Sequence, residues 1–124
     1  MNEVQTEEEY KTLCAPFLEK GFALRYFYQK GGDSSCVYIC RFQKGNDFFD
    51  LREVSGGNEL NFVVYAKGAY AFPSLKSAFK KEYRAFAVKS FFKAPSASER
   101  RRFITGLLVQ ALAQNDTEFF GIPL

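Results

Sequence analysis

The chain has 124 residues, enough for one domain with a true hydrophobic core and no need of metal or disulfide staples. Hydrophobic residues make up 47% and charged residues 25%, while an 18% aromatic share, carried by 15 Phe and 7 Tyr, points to a globular core filled with rings. The net charge is +3 and histidine is absent, which excludes Ser-His-Asp and Cys-His nucleophile pairs and histidine-ligated metals.

The N-terminus, MNEVQTEEEY, is acidic and lacks the basic and apolar regions of a secretory signal. No apolar run approaches the roughly 18 to 20 residues of a membrane span, and the three cysteines form no dense disulfide pattern. A reduced, cytoplasmic protein with no membrane partner is the expectation. Thr6 with Glu9 spells a capping box, and Tyr10, Leu13, Cys14 and Phe17 follow at helical spacing, predicting a first helix over about 6–20. Gly21 provides the left-handed stop and Phe22 folds back over the helix end.

From Phe22 to Phe72 the texture is that of strands broken by turns. ALRYFYQ, SCVYICRF, DFFDLREV and ELNFVVYA are separated by Gly31-Gly32-Asp33, Lys44-Gly45-Asn46 and Gly56-Gly57-Asn58. Lys67-Gly68 follows, and AYAF offers a fifth strand before Pro73. Strands at about 12-residue spacing with glycine in every connection predict an antiparallel meander. The second strand puts Cys36, Tyr38, Cys40 and Phe42 on one face and Val37 and Ile39 on the other. In the third, Asp50 and Arg52 alternate with buried-looking Phe49 and Leu51, so one sheet face is expected to be covered and the other partly wet.

Pro73-Ser74 opens a second helix, roughly 75–91, with Leu75, Ala78, Phe79 and Phe86 on one stripe and Lys76, Lys80 and Arg84 on a ridge. Its second half, YRAFAVKSFF, is equally compatible with strand alternation. After KAPSAS, Ser96 and Glu99 form another capping box, and Phe103, Ile104, Leu107, Leu108, Ala111 and Leu112 give an amphipathic helix ending near Asn115. The tail EFFGIPL is apolar enough to pack. The expected fold is thus one α+β domain over 1–124: an N-terminal helix, a four- to five-stranded antiparallel β-meander and two C-terminal helices packed on the sheet.

Chemistry-bearing motifs are sparse. Cys36 and Cys40 stand about 13 Å apart on a strand at roughly 3.3 Å per residue, too far for a disulfide and awkward for a shared zinc ion, so buried structural thiols are expected. The glycine pairs match no phosphate-binding loop. Asp47, Asp50 and Glu53 cluster in sequence, but on a strand Asp50 and Glu53 face opposite sides, with Arg52 the expected neighbour of Asp50 in a surface ion pair. No cofactor and no metal are expected.

Charge is the informative signal. Lys76, Lys80, Lys81, Arg84, Lys89, Lys93, Arg100, Arg101 and Arg102 face only Glu82 and Glu99, so this segment carries +7 and the remainder −4. Arg100, Arg101 and Arg102 sit at a helix start, where the backbone dipole already disfavours cations by a few tenths of a kcal/mol each. The nine are the expected contact residues for an anionic partner. A non-catalytic binding module for nucleic acid is the leading expectation. An inhibitor or adaptor docking on an acidic protein surface is the second, and an enzyme working with Asp50, Glu53 and Tyr26, Tyr28 or Tyr38 the third.

Overall fold

The computed structural model of the chain describes residues 1–30 and 36–124; the expected Gly31-Gly32-Asp33 turn and the side chain of Cys36 lie outside what is described. The first helical region is two helices, α1 (Glu3–Leu13) and α2 (Ala15–Glu19). The expected start at Thr6 is corrected to Asn2, whose side chain accepts from the Gln5 N–H while the Gln5 side chain accepts from the Asn2 N–H. Asn caps as well as Ser or Asp does, and Thr6 instead lies on the buried stripe, its hydroxyl donating to the Asn2 carbonyl. The break near Cys14 follows from Pro16, which has no N–H to continue the ladder. Gly21 ends the region at φ 96°, as expected.

Five strands form one antiparallel meander in sequence order: β1 (Ala23–Lys30), β2 (Cys36–Lys44), β3 (Asp47–Val54), β4 (Glu59–Ala66) and β5 (Ala69–Ala71). A 3-10 turn at Ser55–Gly57 joins β3 to β4. Lys67 and Gly68, both at positive φ, form the two-residue turn into β5. Register pairs Phe42 with Phe49 and Cys40 with Leu51, so one face of the sheet is apolar over this stretch, with buried Glu53 opposite Tyr38 at its end.

That face meets α1, α2 and a long helix, α5 (Ala97–Ala113), whose Leu107, Leu108, Ala111 and Leu112 are buried. Phe17 sits among four rings, with Phe22, Phe42, Phe49 and Phe119 between 4.9 and 5.8 Å away. The apolar tail packs as expected. It makes a small hairpin of β6 (Glu118–Phe119) and β7 (Ile122–Pro123) that sends Phe119 and Ile122 into the core.

On the opposite sheet face Asp50 is fully buried, which corrects the expected surface pair. Its main partner is also different: Arg41, directly across the β2–β3 register, donates twice at 2.8 and 3.0 Å, while Arg52 stands at 3.4 Å. Arg41 in turn lies over the Phe48 ring, 3.9 Å from its centroid, and so helps shield the carboxylate from water.

The second predicted helix also divides. α3 (Leu75–Ala78) and α4 (Lys80–Lys89) are separated by buried Phe79, which leaves helical geometry at φ −128°, ψ 52°. Helix continues through Lys89, which settles the helix-or-strand alternative for Tyr83 to Phe92 in favour of helix up to that point. No helix among the described residues is long and apolar enough to cross a membrane.

Candidate anion-binding groove

The nine basic residues do not share one environment. Lys76, Lys80, Arg84 and Arg100 line a single groove of about 740 Å³ between α3–α4, the start of β4 and the first turns of α5. Lys80 and Arg84 share one side of α4, four residues apart, and Lys76 joins them from α3 across the Phe79 break. Arg100 reaches the groove because the Ser96–Glu99 capping box begins α5 where the sequence predicted, with Glu99 N–H donating to Ser96 Oγ at 3.1 Å and Ser96 N–H donating to Glu99 Oε1 at 3.1 Å.

The floor is aromatic and aliphatic. Phe86 of α4 stacks face to face on Phe103 of α5, 4.1 Å between centroids and 6° between planes. Tyr83 meets the same ring edge-on at 5.0 Å, and Leu60 and Ile104 complete the apolar wall. Burial raises the Tyr83 phenol, so it is a neutral donor at physiological pH. Against four cations the groove holds one carboxylate, Glu59. The Nε of half-buried Arg100 is shut off from water and, among the described residues, has no acceptor.

Arg101 departs from the sequence expectation. It is only 7% exposed and donates from Nε to Glu53 Oε2 at 2.8 Å and from a terminal nitrogen to Glu53 Oε1 at 3.2 Å. Glu9 stands 3.6 Å away, and the phenols of Tyr10 and Tyr26 donate to the same Glu53 carboxylate. Burial by itself would lower the Arg101 guanidinium; the Glu53 hydrogen bonds outweigh it and hold Arg101 above its usual range. Tyr10 and Tyr26 are raised first by burial and then by the charge of Glu53. Arg101 is therefore a structural cation that ties α5 to α1 and β3, and its burial keeps it from a partner along this edge.

Arg102, Lys81, Lys89 and Lys93 are exposed and lie outside the groove. Glu99 is held below the usual carboxylate range by the Ser96 hydrogen bonds, with Lys93 and Arg102 contributing.

The three clustered carboxylates part company. Asp47 accepts the Lys67 N–H at 3.1 Å, Asp50 holds Arg41 and Glu53 holds Arg101, with Asp50 and Glu53 on opposite faces of β3. Tyr38 stacks on Tyr26 at 5.3 Å and donates to Glu3 at 2.6 Å, and Tyr28 meets Tyr38 edge-on. Cys14 and Cys40 are buried free thiols, Cys14 pushed up to about 12 by burial. Among the described residues no three His, Cys, Asp or Glu side chains group as metal ligands.

The chain matches no protein-family model, no curated protein and no solved structure.

The sequence reading missed the Glu53–Arg101 pair, and the signal for it lay in two periodicities. Glu53 alternates inward with Phe49 and Leu51, while Arg101 extends the Ile104–Leu108 stripe back by one turn. Opposite charges at two inward positions are a pair in waiting.

Proposed function

We propose that this chain is a non-catalytic binding module that holds a single-stranded nucleic acid in the α3–α4/α5 groove. The observation that carries the reading is the convergence of Lys76, Lys80, Arg84 and Arg100 over an aromatic floor, opposed only by Glu59. Cations that track a phosphate backbone beside rings on which bases stack are the general physical requirements for binding single strands. A concave floor with Tyr83, Phe86 and Phe103 below the cations favours unpaired bases over a duplex, whose bases are already stacked on each other.

The test is fluorescence anisotropy with a labelled single-stranded oligonucleotide across a salt series. Affinity should fall with a log–log slope of about −0.7 per phosphate neutralised. Replacing Lys80, Arg84 and Arg100 with Ala should flatten that slope by roughly two, while a matched duplex binds more weakly throughout. Absence of single-strand binding at about 50 mM salt, where phosphate contacts are strongest, rules the reading out.

A further inference from the structure

The end of α4 carries the most exposed apolar group on the C-terminal helices. Val88 is 72% exposed, Phe91 78% and Phe92 96%, and the two phenylalanine rings touch edge to face at 4.9 Å. α4 itself has no fully buried residue. Tyr83 and Phe86 fix its inward side through Phe103, so helical spacing turns Lys81, Ala85 and Val88 away from the body. Lys89 and Lys93 bracket the phenylalanine pair in sequence, and the segment from Tyr83 to Ser98 carries no carboxylate, Glu82 and Glu99 flanking it and Glu99 feeling the charge of Lys93.

Two rings held almost wholly in water, flanked in sequence by two exposed lysines, call for a counter-surface that is apolar and anionic together. Lysine ammoniums are strongly hydrated and depleted from the cores of protein–protein interfaces. Three protruding side chains also fall far short of the roughly 800 Å² per partner that a stable protein interface buries. An anionic bilayer has neither difficulty. Aromatic rings enter the head-group boundary, lysine stems lie along the apolar surface and their ammoniums meet phosphates.

We propose that Val88, Phe91 and Phe92, with Lys89 and Lys93 beside them in sequence, attach this protein to the surface of an anionic phospholipid membrane. Such an element lies on the bilayer and needs no spanning helix. It shares no residue with the groove, so the two proposals stand or fall separately.

The probe is a vesicle of phosphatidylcholine containing about 30% phosphatidylserine, compared with pure phosphatidylcholine by co-sedimentation of the intact protein. Binding to the anionic vesicles should be at least about tenfold tighter. Substituting F91S and F92S together should weaken it by about tenfold or more. K89A with K93A should weaken it roughly twenty-five-fold, at about fivefold per lysine. Because both rings are exposed, the F91S/F92S variant should melt with the wild type and keep the wild-type response to oligonucleotide. No association with anionic vesicles at about 50 mM salt overturns the proposal. So does equal binding to both vesicle types, or undiminished binding by F91S/F92S. Concentration-dependent dimerisation abolished by F91S/F92S, without vesicle association, overturns it too and assigns the patch to a second copy of this chain.

Discussion

Arg101→Met removes a guanidinium from a closed site while leaving an unbranched stem to fill the space. Glu53 accepts four hydrogen bonds, two from Arg101 and one each from Tyr10 and Tyr26. Glu53 is 4% exposed, so after the substitution its charge is left in a nearly dry site with only two phenols to solvate it. Leaving one member of a buried ion pair uncompensated costs about 3–5 kcal/mol. At roughly 3–5 °C per kcal/mol for a chain of this size, Tm should fall by about 10–20 °C. Removing the pair together as E53L/R101M should recover much of that loss, because an apolar replacement of a buried pair is often near neutral. Recovery stays incomplete until Y10F is added, since the buried Tyr10 hydroxyl would otherwise lose its acceptor at about 1–3 kcal/mol. R102A, at an exposed position, should stay within about 0.5 kcal/mol of wild type. Thermal and urea denaturation followed by circular dichroism measure all four. If R101M melts within about 2 °C of wild type, Arg101 is solvated, the pair is not structural, and the cation returns to the set available for a partner.

Two further outcomes follow from the same core. Cys14 and Tyr10 both have folded-state pKa values raised above the unfolded ones, so the folded protein holds their protons more firmly. That stability is fully present below the unfolded Cys value near 9 and is lost as pH rises toward the folded value of about 12, at about 1.4 kcal/mol per pH unit for each titrating group. Melting temperature should therefore drop steeply between these limits, less steeply in Y10F, and a flat profile would contradict the burial of both groups. Gly57→Ala tests the seat of α5: φ is +91°, and an added Cβ would stand 2.8 Å from the Ala97 Cβ. A loss of about 2 kcal/mol or more is expected from backbone and contact together, read as a lower urea midpoint at unchanged m.

Where local chemistry decided the outcome, the sequence was legible. Ser96 and Glu99 capped α5 in the structure as read, and Gly21 and the Lys67-Gly68 turn fell where glycine was needed. The strands followed from alternation and turn residues, and the tail from its apolar content. Misreadings arose where two local signals competed or where the partner was distant in sequence. Asn2–Gln5 and Thr6–Glu9 both spell capping boxes, and burial of Thr6 on the helix stripe decided between them. Asp50 has an arginine two places along its own strand, yet Arg41 across the register has the better geometry, because directly opposed side chains lie closer than those on one strand. The groove was legible only in part: the Lys80–Arg84 step came from spacing, but Lys76 lies across the Phe79 break and the meeting with Arg100 depends on how α4 lies against α5, which the Phe86–Phe103 stack determines.

The run of three arginines that opens α5 looks uniform in sequence and is divided by geometry. Successive residues on an α-helix point about 100° apart, so neighbours in sequence occupy different sides. Arg100 turns into the groove, Arg101 turns into the body toward Glu53, and Arg102 stays in water near Glu99. The unfavourable placement of Arg101 at a helix start, a few tenths of a kcal/mol, is small beside the cost of leaving Glu53 unpaired. It also follows that replacing all three with Ala would mix two effects, loss of a groove cation and loosening of the helix that presents it. Single substitutions separate them under the proposed reading. R100A should reduce the salt slope of oligonucleotide binding by about 0.7 at unchanged melting temperature, whereas R101M should lower the melting temperature and leave the slope of the folded fraction intact.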